Sequence, residues 1–110
     1  MLLKIIKGKT YIKDYKKKIV YKHLGKEIER IANIEDLILD SQNFKSMLLN
    51  PLSIVYGIEH KKGNLKEIYT AKVNEKIRLY IKPIGDYPYN TIEITELEFI
   101  KIDNQHYGEG

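Results

Sequence analysis

Apolar residues recur every three or four positions through the first half of the chain and every second position after Pro51. The first spacing is that of a helix with one buried face, the second that of a half-buried strand. Leu2 to Ile6 is a short apolar run that predicts a first strand. From Thr10 the pattern is helical: Tyr11, Tyr15 and Ile19, with Ile12 beside them, form one face and lysines fill the other. Gly25 predicts a break near the end of this helix. Leu24, Ile28 and Ile31 open a second helical face, and Asn33 with the run IEDLILD leaves open one kinked helix or two short ones. Asn50-Pro51 is expected to end the helical half, because a residue before proline resists helical geometry.

Beyond Pro51, Ser53 to His60 reads as a strand and Lys62-Gly63-Asn64 as a turn. Tyr69, Ala71 and Val73 alternate with Ile68, Thr70 and Lys72; Asn74-Glu75 is a tight turn. Ile77, Leu79 and Ile81 then alternate with Lys76, Arg78, Tyr80 and Lys82, which predicts a hairpin with one apolar and one basic face. Residues 83–90, with Gly85, Pro88 and two tyrosines, read as a loop. Thr91 to Asp103 reads as a long last strand whose alternation is muddled at Glu96 to Glu98, suggesting a bulge or break. The expected architecture is an α+β domain spanning residues 1–110. Two N-terminal helices pack on one face of a mainly antiparallel four-stranded sheet. The other face stays partly open, and Lys72, Arg78 and Tyr80 share it.

Composition narrows this picture. At 110 residues and 43% apolar the chain supports one core and one domain. It has no cysteine, which removes disulfides and thiolate metal sites and fits a reducing cytosol. The start MLLKIIKGK has too short an apolar run for a signal peptide, and no run approaches a membrane span, so a soluble cytoplasmic protein is expected.

The net charge of +4 hides blocks: +8 over residues 1–26, −4 over 27–59, +5 over 60–82 and −5 over 83–110. The segregation predicts a basic surface built from the first helix and the middle strands, suited to an RNA phosphate chain. The alternative is a generally lysine-rich composition. The run Lys16-Lys17-Lys18 is more often a solvated helix face; in a protein that docks on the ribosome it would face rRNA.

The segment KGNLKEIYTAKVNEKIRLYI, residues 62–81, resembles the central hairpin of the RelE/ParE toxin superfamily, where a Lys-Gly-x-Leu turn precedes a basic residue before Val/Ile-Asn and an arginine follows on the next strand. The likeness is greatest to YoeB-type chains, with HigB-type also similar. Glu59 matches the glutamate three residues before Lys62. Lys72 stands where the family more often has arginine, Arg78 matches the second-strand arginine, and His106-Tyr107 match the terminal His-Tyr pair. The chain departs from the pattern in continuing with Gly108-Glu109-Gly110 and in a longer helical region and a longer loop at residues 83–90.

The resemblance implies a toxin that cuts mRNA on the ribosome without metal or other cofactor. It also implies a co-encoded antitoxin as protein partner in a hetero-oligomeric complex. Such chemistry needs a base for the ribose 2′-hydroxyl, positive charge at the phosphate and an acid for the departing 5′-oxygen. The resemblance assigns the base to Glu59, phosphate contacts to Arg78 and Lys72, and the acid to His106, which is the base instead if Glu59 is structural. Tyr107 would stack on a nucleobase or orient the phosphate. Lys61, Lys62 and Lys66 are expected RNA backbone contacts, and Tyr80 shares their RNA-binding role. The alternative for Glu59 is a surface carboxylate paired with a neighbouring lysine. For Arg78 it is an ion pair to a carboxylate such as Glu93. A ParE-like inhibitor of DNA gyrase would have the same fold and no catalytic set, and a plain binding module is a third reading.

Overall fold

The computed structural model describes residues 2–20 and 25–104. The elements run β1 (Lys4–Lys7), α1 (Lys9–Val20), α2 (Gly25–Leu39), α3 (Phe44–Leu49), α4 (Pro51–Val55), β2 (Glu59–His60), a 3-10 turn at Gly63–Leu65, β3 (Tyr69–Lys72), β4 (Ile77–Pro83) and β5 (Glu96–Asn104). The sheet order is β1-β5-β4-β3-β2. The β1–β5 pair is parallel and the others are antiparallel. The α+β class and the mainly antiparallel character stand, but the sheet has five strands rather than four, the fifth being the parallel β1, and two short helices join the two expected.

Helix α1 turns Tyr11 inward, where its ring meets Phe99 of β5 edge-on at 5.1 Å. Its entry is tight: a Cβ on Gly8 would come within 2.7 Å of a Glu98 carboxylate oxygen and 2.9 Å of the Phe99 carbonyl oxygen. Only glycine lets the chain turn there from strand to helix. Helix α2 buries Ile31, Ile34, Leu37 and Ile38. Gly25, expected to close the first helix, instead opens the second.

The main departure lies at residues 50–60. Asn50 is extended (φ −68, ψ 131), as its place before proline requires. Yet it serves as the N-cap of α4, its side chain accepting from the Leu52 N–H, with Pro51 in the first turn. Proline carries the right φ for that position and has no N–H to leave unpaired. The expected strand Ser53 to His60 is therefore a helix through Val55, a turn, and only Glu59–His60 in the sheet. Gly57 in that turn has φ +60 and packs against Lys72, whose Cβ lies 3.0 Å from the position a Cβ would take.

The last strand also begins later than expected, at Glu96. The carbonyls of Thr91 and Ile94 accept the Lys45 and Phe44 N–H groups at the start of α3, so this stretch caps a helix instead of pairing in the sheet. The irregularity in β5 lies past Glu98. Tyr80 pairs with Lys101 and Ile81 with Phe99, leaving Ile100 as the extra residue. That bulge reverses the parity, so Leu97, Phe99 and Ile102 all reach the core although their spacing is not uniform.

The helices cover the face bearing Ala71, Leu79, Ile81 and Phe99, each 0% exposed. Arg30 of α2 braces the sheet: its Nε donates to the Lys72 carbonyl at 2.9 Å, an Nη donates to the Val55 carbonyl at 2.9 Å, and the guanidinium lies over the Tyr56 ring at 4.6 Å. These contacts hold the end of β3 and the exit of α4 in one place. No helix among the described residues is long and apolar enough to cross a membrane.

Candidate functional site

Strand alternation sends Thr70, Lys72, Arg78 and Tyr80 to the face opposite the helices, as the hairpin pattern predicts. Cα partners on β3 and β4 set Lys72 opposite Arg78 and Thr70 opposite Tyr80. On β2, Glu59 is opposite Thr70, which brings it to the same face. Lys101 and Asp103 enter from β5, opposite Tyr80 and Arg78.

Two cations directly opposite each other repel. Here both are anchored in the β3–β4 turn. Lys72 Nζ pairs with Glu75 at 2.9 Å. That contact, then the Lys72 charge and the Arg78 charge, hold the Glu75 carboxyl below its usual range. Arg78 donates from Nη1 to the Asn74 carbonyl at 2.7 Å. Asn74 shapes the turn itself, its Oδ1 accepting the Lys76 and Ile77 N–H groups at 2.8 Å each. The amide of Asn74 donates to Glu27 of α2 at 3.1 Å. The Arg78 contact is thus to the turn's own backbone rather than to Glu93.

Glu59 pairs with Lys61 at 3.2 Å, the neighbouring-lysine arrangement. The pair is lopsided: the Lys61 side chain is 9% exposed and that of Glu59 61%. Lys61 was expected as an RNA backbone contact, but the structure places it below Glu59 as that residue's partner. Next to them Thr70 is buried, and its Oγ1 finds no hydrogen-bond partner among the described residues. Tyr80 is 6% exposed, and the Lys101 ammonium sits 4.7 Å from its ring centroid. Tyr80 therefore lies within this face rather than standing out from it.

Lys62 and Lys66 flank the 3-10 turn and are exposed. His106 and Tyr107 lie outside the described residues. No group of three or more His, Asp or Glu able to hold a metal occurs among the described residues.

A second cluster, which pattern reasoning did not single out, stands at the β2 corner. The His60 ring stacks on Tyr69 at 4.6 Å, and Tyr87 and Tyr89 of the loop after β4 adjoin it. Burial, and then the Tyr87 charge, raise the Tyr69 phenol. Burial, followed by the Glu67 charge, pushes Tyr89 up to about 12, so it stays protonated and donates to the Glu67 carbonyl at 2.8 Å. The available signal was compositional: two tyrosines in a proline loop and a histidine beside Glu59.

No family model matches the chain, and no curated protein does. Solved structures do match. YafQ from E. coli superposes with TM-score 0.64 at 18% identity, over 94% of this chain and 93% of its own. The YoeB/ParE toxin from Agrobacterium tumefaciens gives 0.61 at 13% identity, over 94% of this chain and 100% of its own. The fold is the one these two proteins share. A copper-bound mutant toxin from Helicobacter pylori shares it, with TM-score 0.59 and 15% identity over 94% of this chain and 96% of that one. The toxin fold also appears in the E. coli DinJ–YafQ toxin–antitoxin complex, at TM-score 0.62 and 18% identity over 94% and 93% of the two chains.

Proposed function

We propose that this protein is the toxin of a toxin–antitoxin pair and that it cleaves mRNA on the ribosome at the helix-free face of its sheet. The observation that carries the reading is the register of β3 and β4. It sets Lys72 against Arg78 on the face opposite the helices, with Glu59 on the next strand of that face. A carboxylate and two cations on one rigid surface are what a 2′-hydroxyl attack on phosphate requires.

In the proposed reaction Glu59 takes the proton of the ribose 2′-hydroxyl, and the 2′-oxygen bonds to the adjacent phosphorus. The bond from phosphorus to the 5′-oxygen breaks, and His106 returns a proton to that oxygen. The products are a 2′,3′-cyclic phosphate and a 5′-hydroxyl. Arg78 and Lys72 stabilise the charge that gathers on the phosphoryl oxygens. Lys62 and Lys66 hold the RNA backbone, Tyr80 supports the face, and Tyr107 stacks on a base. The partner that restrains this activity is a co-encoded antitoxin, an arrangement supported by the DinJ–YafQ complex.

One feature favours the gyrase-inhibitor reading. Glu59 is already paired with Lys61, and one arm of Arg78 serves the hairpin turn, so both have structural uses. Expression in a translating extract, followed by mapping of mRNA ends, separates the two. Cleavage with cyclic phosphate ends, lost in Arg78→Ala and His106→Ala, is the expected result. Equal cleavage by those variants would overturn the site assignment, and inhibition of gyrase supercoiling with intact mRNA would overturn the function.

A further inference from the structure

On the side of β2 away from Glu59, a row of rings runs from the core to the surface. Phe44 is 0% exposed and meets Tyr69 edge-on at 4.8 Å; Tyr69 is 8% exposed. The His60 ring lies on Tyr69 at 4.6 Å with 12° between the planes. Beyond it, Tyr87 is 6.1 Å from His60 and 37% exposed. Tyr89 braces Tyr87 edge-to-face at 5.6 Å. The outer end is held in place before any ligand arrives: His60 Nε2 lies against the Lys66 carbonyl oxygen, and the Tyr89 hydroxyl is tied to Glu67. The Lys66 ammonium stands 5.5 Å from the Tyr87 ring centroid.

Packing explains the inner rings of this row but not the outer ones. His60 and Tyr87 remain in water, fixed, beside an exposed ammonium. Rings whose orientation is already set lose little freedom when a flat ligand lands on them. A nucleobase offers that flat face, and the phosphate joined to it offers the charge for Lys66. The position is also suitable. Glu59 and His60 are consecutive and face opposite sides of β2, which is the edge strand of the sheet. RNA laid across that edge brings one nucleotide to the Glu59 side and a neighbouring base to the His60 side.

We propose that the His60–Tyr87 corner is a stacking site for one nucleobase of single-stranded RNA, with Lys66 holding the adjoining phosphate. This rests on the reading of the protein as one that acts on RNA, and it adds a subsite outside the Glu59–Arg78 face.

The test uses the full chain and fluorescein-labelled single-stranded RNA hexamers, one intact and one made abasic at its central positions. The intact hexamer should shift the NMR ring signals of His60 and Tyr87 and bind more tightly than the abasic one. Tyr87→Ala should weaken binding of the intact hexamer by about five- to a hundredfold, while Tyr87→Phe keeps it. Lys66→Ala should lower the slope of log affinity against log salt by about 0.7. Unshifted ring signals, or equal affinity for intact and abasic RNA, would overturn the site without any variant having to fold. So would Tyr87→Ala that folds and binds like wild type. The nuclease reading fails separately. A chain that binds the hexamer through Tyr87 but leaves ribosomal mRNA intact keeps this site and loses the nuclease. One that cleaves mRNA while Tyr87→Ala binds normally keeps the nuclease and loses this site.

Discussion

On β4, Leu79 and Ile81 lie under the helices at 0% exposure, while Arg78 sits on the opposite face beside Lys72 and below the turn. The two faces of the sheet share strands, register and backbone hydrogen bonds. They differ in which alternate residues they display and in whether helices pack on them. The covered face holds apolar side chains whose neighbours are fixed by packing. The face opposite the helices buries Thr70 and Tyr80 but also holds charges whose neighbours are fixed by short local contacts: Lys72 with Glu75, Arg78 with the Asn74 carbonyl, Lys61 with Glu59. The apolar face therefore sustains stability, while the charges of the other are those the proposed function would use, and truncating one of those charges should register in a cleavage assay far more than in unfolding.

The strongest way to break this division is to empty the covered face. Phe99→Ala removes a fully buried ring that packs against Tyr11 and should cost about 3–5 kcal/mol in urea unfolding. A loss below about 1 kcal/mol would show that the face is not the core. Next in size is Arg78→Ala. Under the proposed function it should lower mRNA cleavage about a hundredfold or more, while unfolding free energy falls by only about 1 kcal/mol for the lost turn contact. Equal losses in both assays would erase the distinction.

A smaller effect tests the helix that interrupted the expected strand. Asn50→Ala removes the cap of α4 and should destabilise by about 1 kcal/mol, without altering cleavage beyond the fraction unfolded. The smallest effect belongs to Glu75. Its folded-state pKa lies below its ordinary value, so its contribution is present above that ordinary value and fades as pH falls through the folded one. Wild type and Glu75→Gln should thus differ slightly in denaturant midpoint at neutral pH and converge in acid. A gap that persists or widens in acid would show that Lys72 does not hold this carboxylate.

Much of the hairpin was legible because alternation is local. The positions of Lys72 and Arg78 relative to Leu79 and Ile81 follow from a period of two and a short turn. The segment from Pro51 to His60 was not legible in this way. Its run Ser53 to Ile58 alternates passably as a strand, and Pro51, whose pattern signals a helix stop, is also the start of α4. The bulge at Ile100 hid the parity of β5 for a similar reason, since one extra residue interchanges the two faces. The resemblance pointed to Glu59, but no pattern showed that Lys61 would lie buried beneath it, nor that His60 would stack on a tyrosine nine residues away.

By itself the sequence determined the α+β class, the amphipathic helices, the β3–β4 turn and the face on which Lys72 and Arg78 stand. Each depends on the chemistry of residues within a few positions of one another. Tertiary structure alone decided the parallel pairing of β1 with β5, the capping of α3 by the loop before β5, the Lys61–Glu59 pair and the aromatic corner at His60 and Tyr87. The strand pairing, the cap and the corner join segments far apart in the chain, and Lys61 is buried by its surroundings in the fold. Their energies exist only once the core has closed and placed those surfaces together.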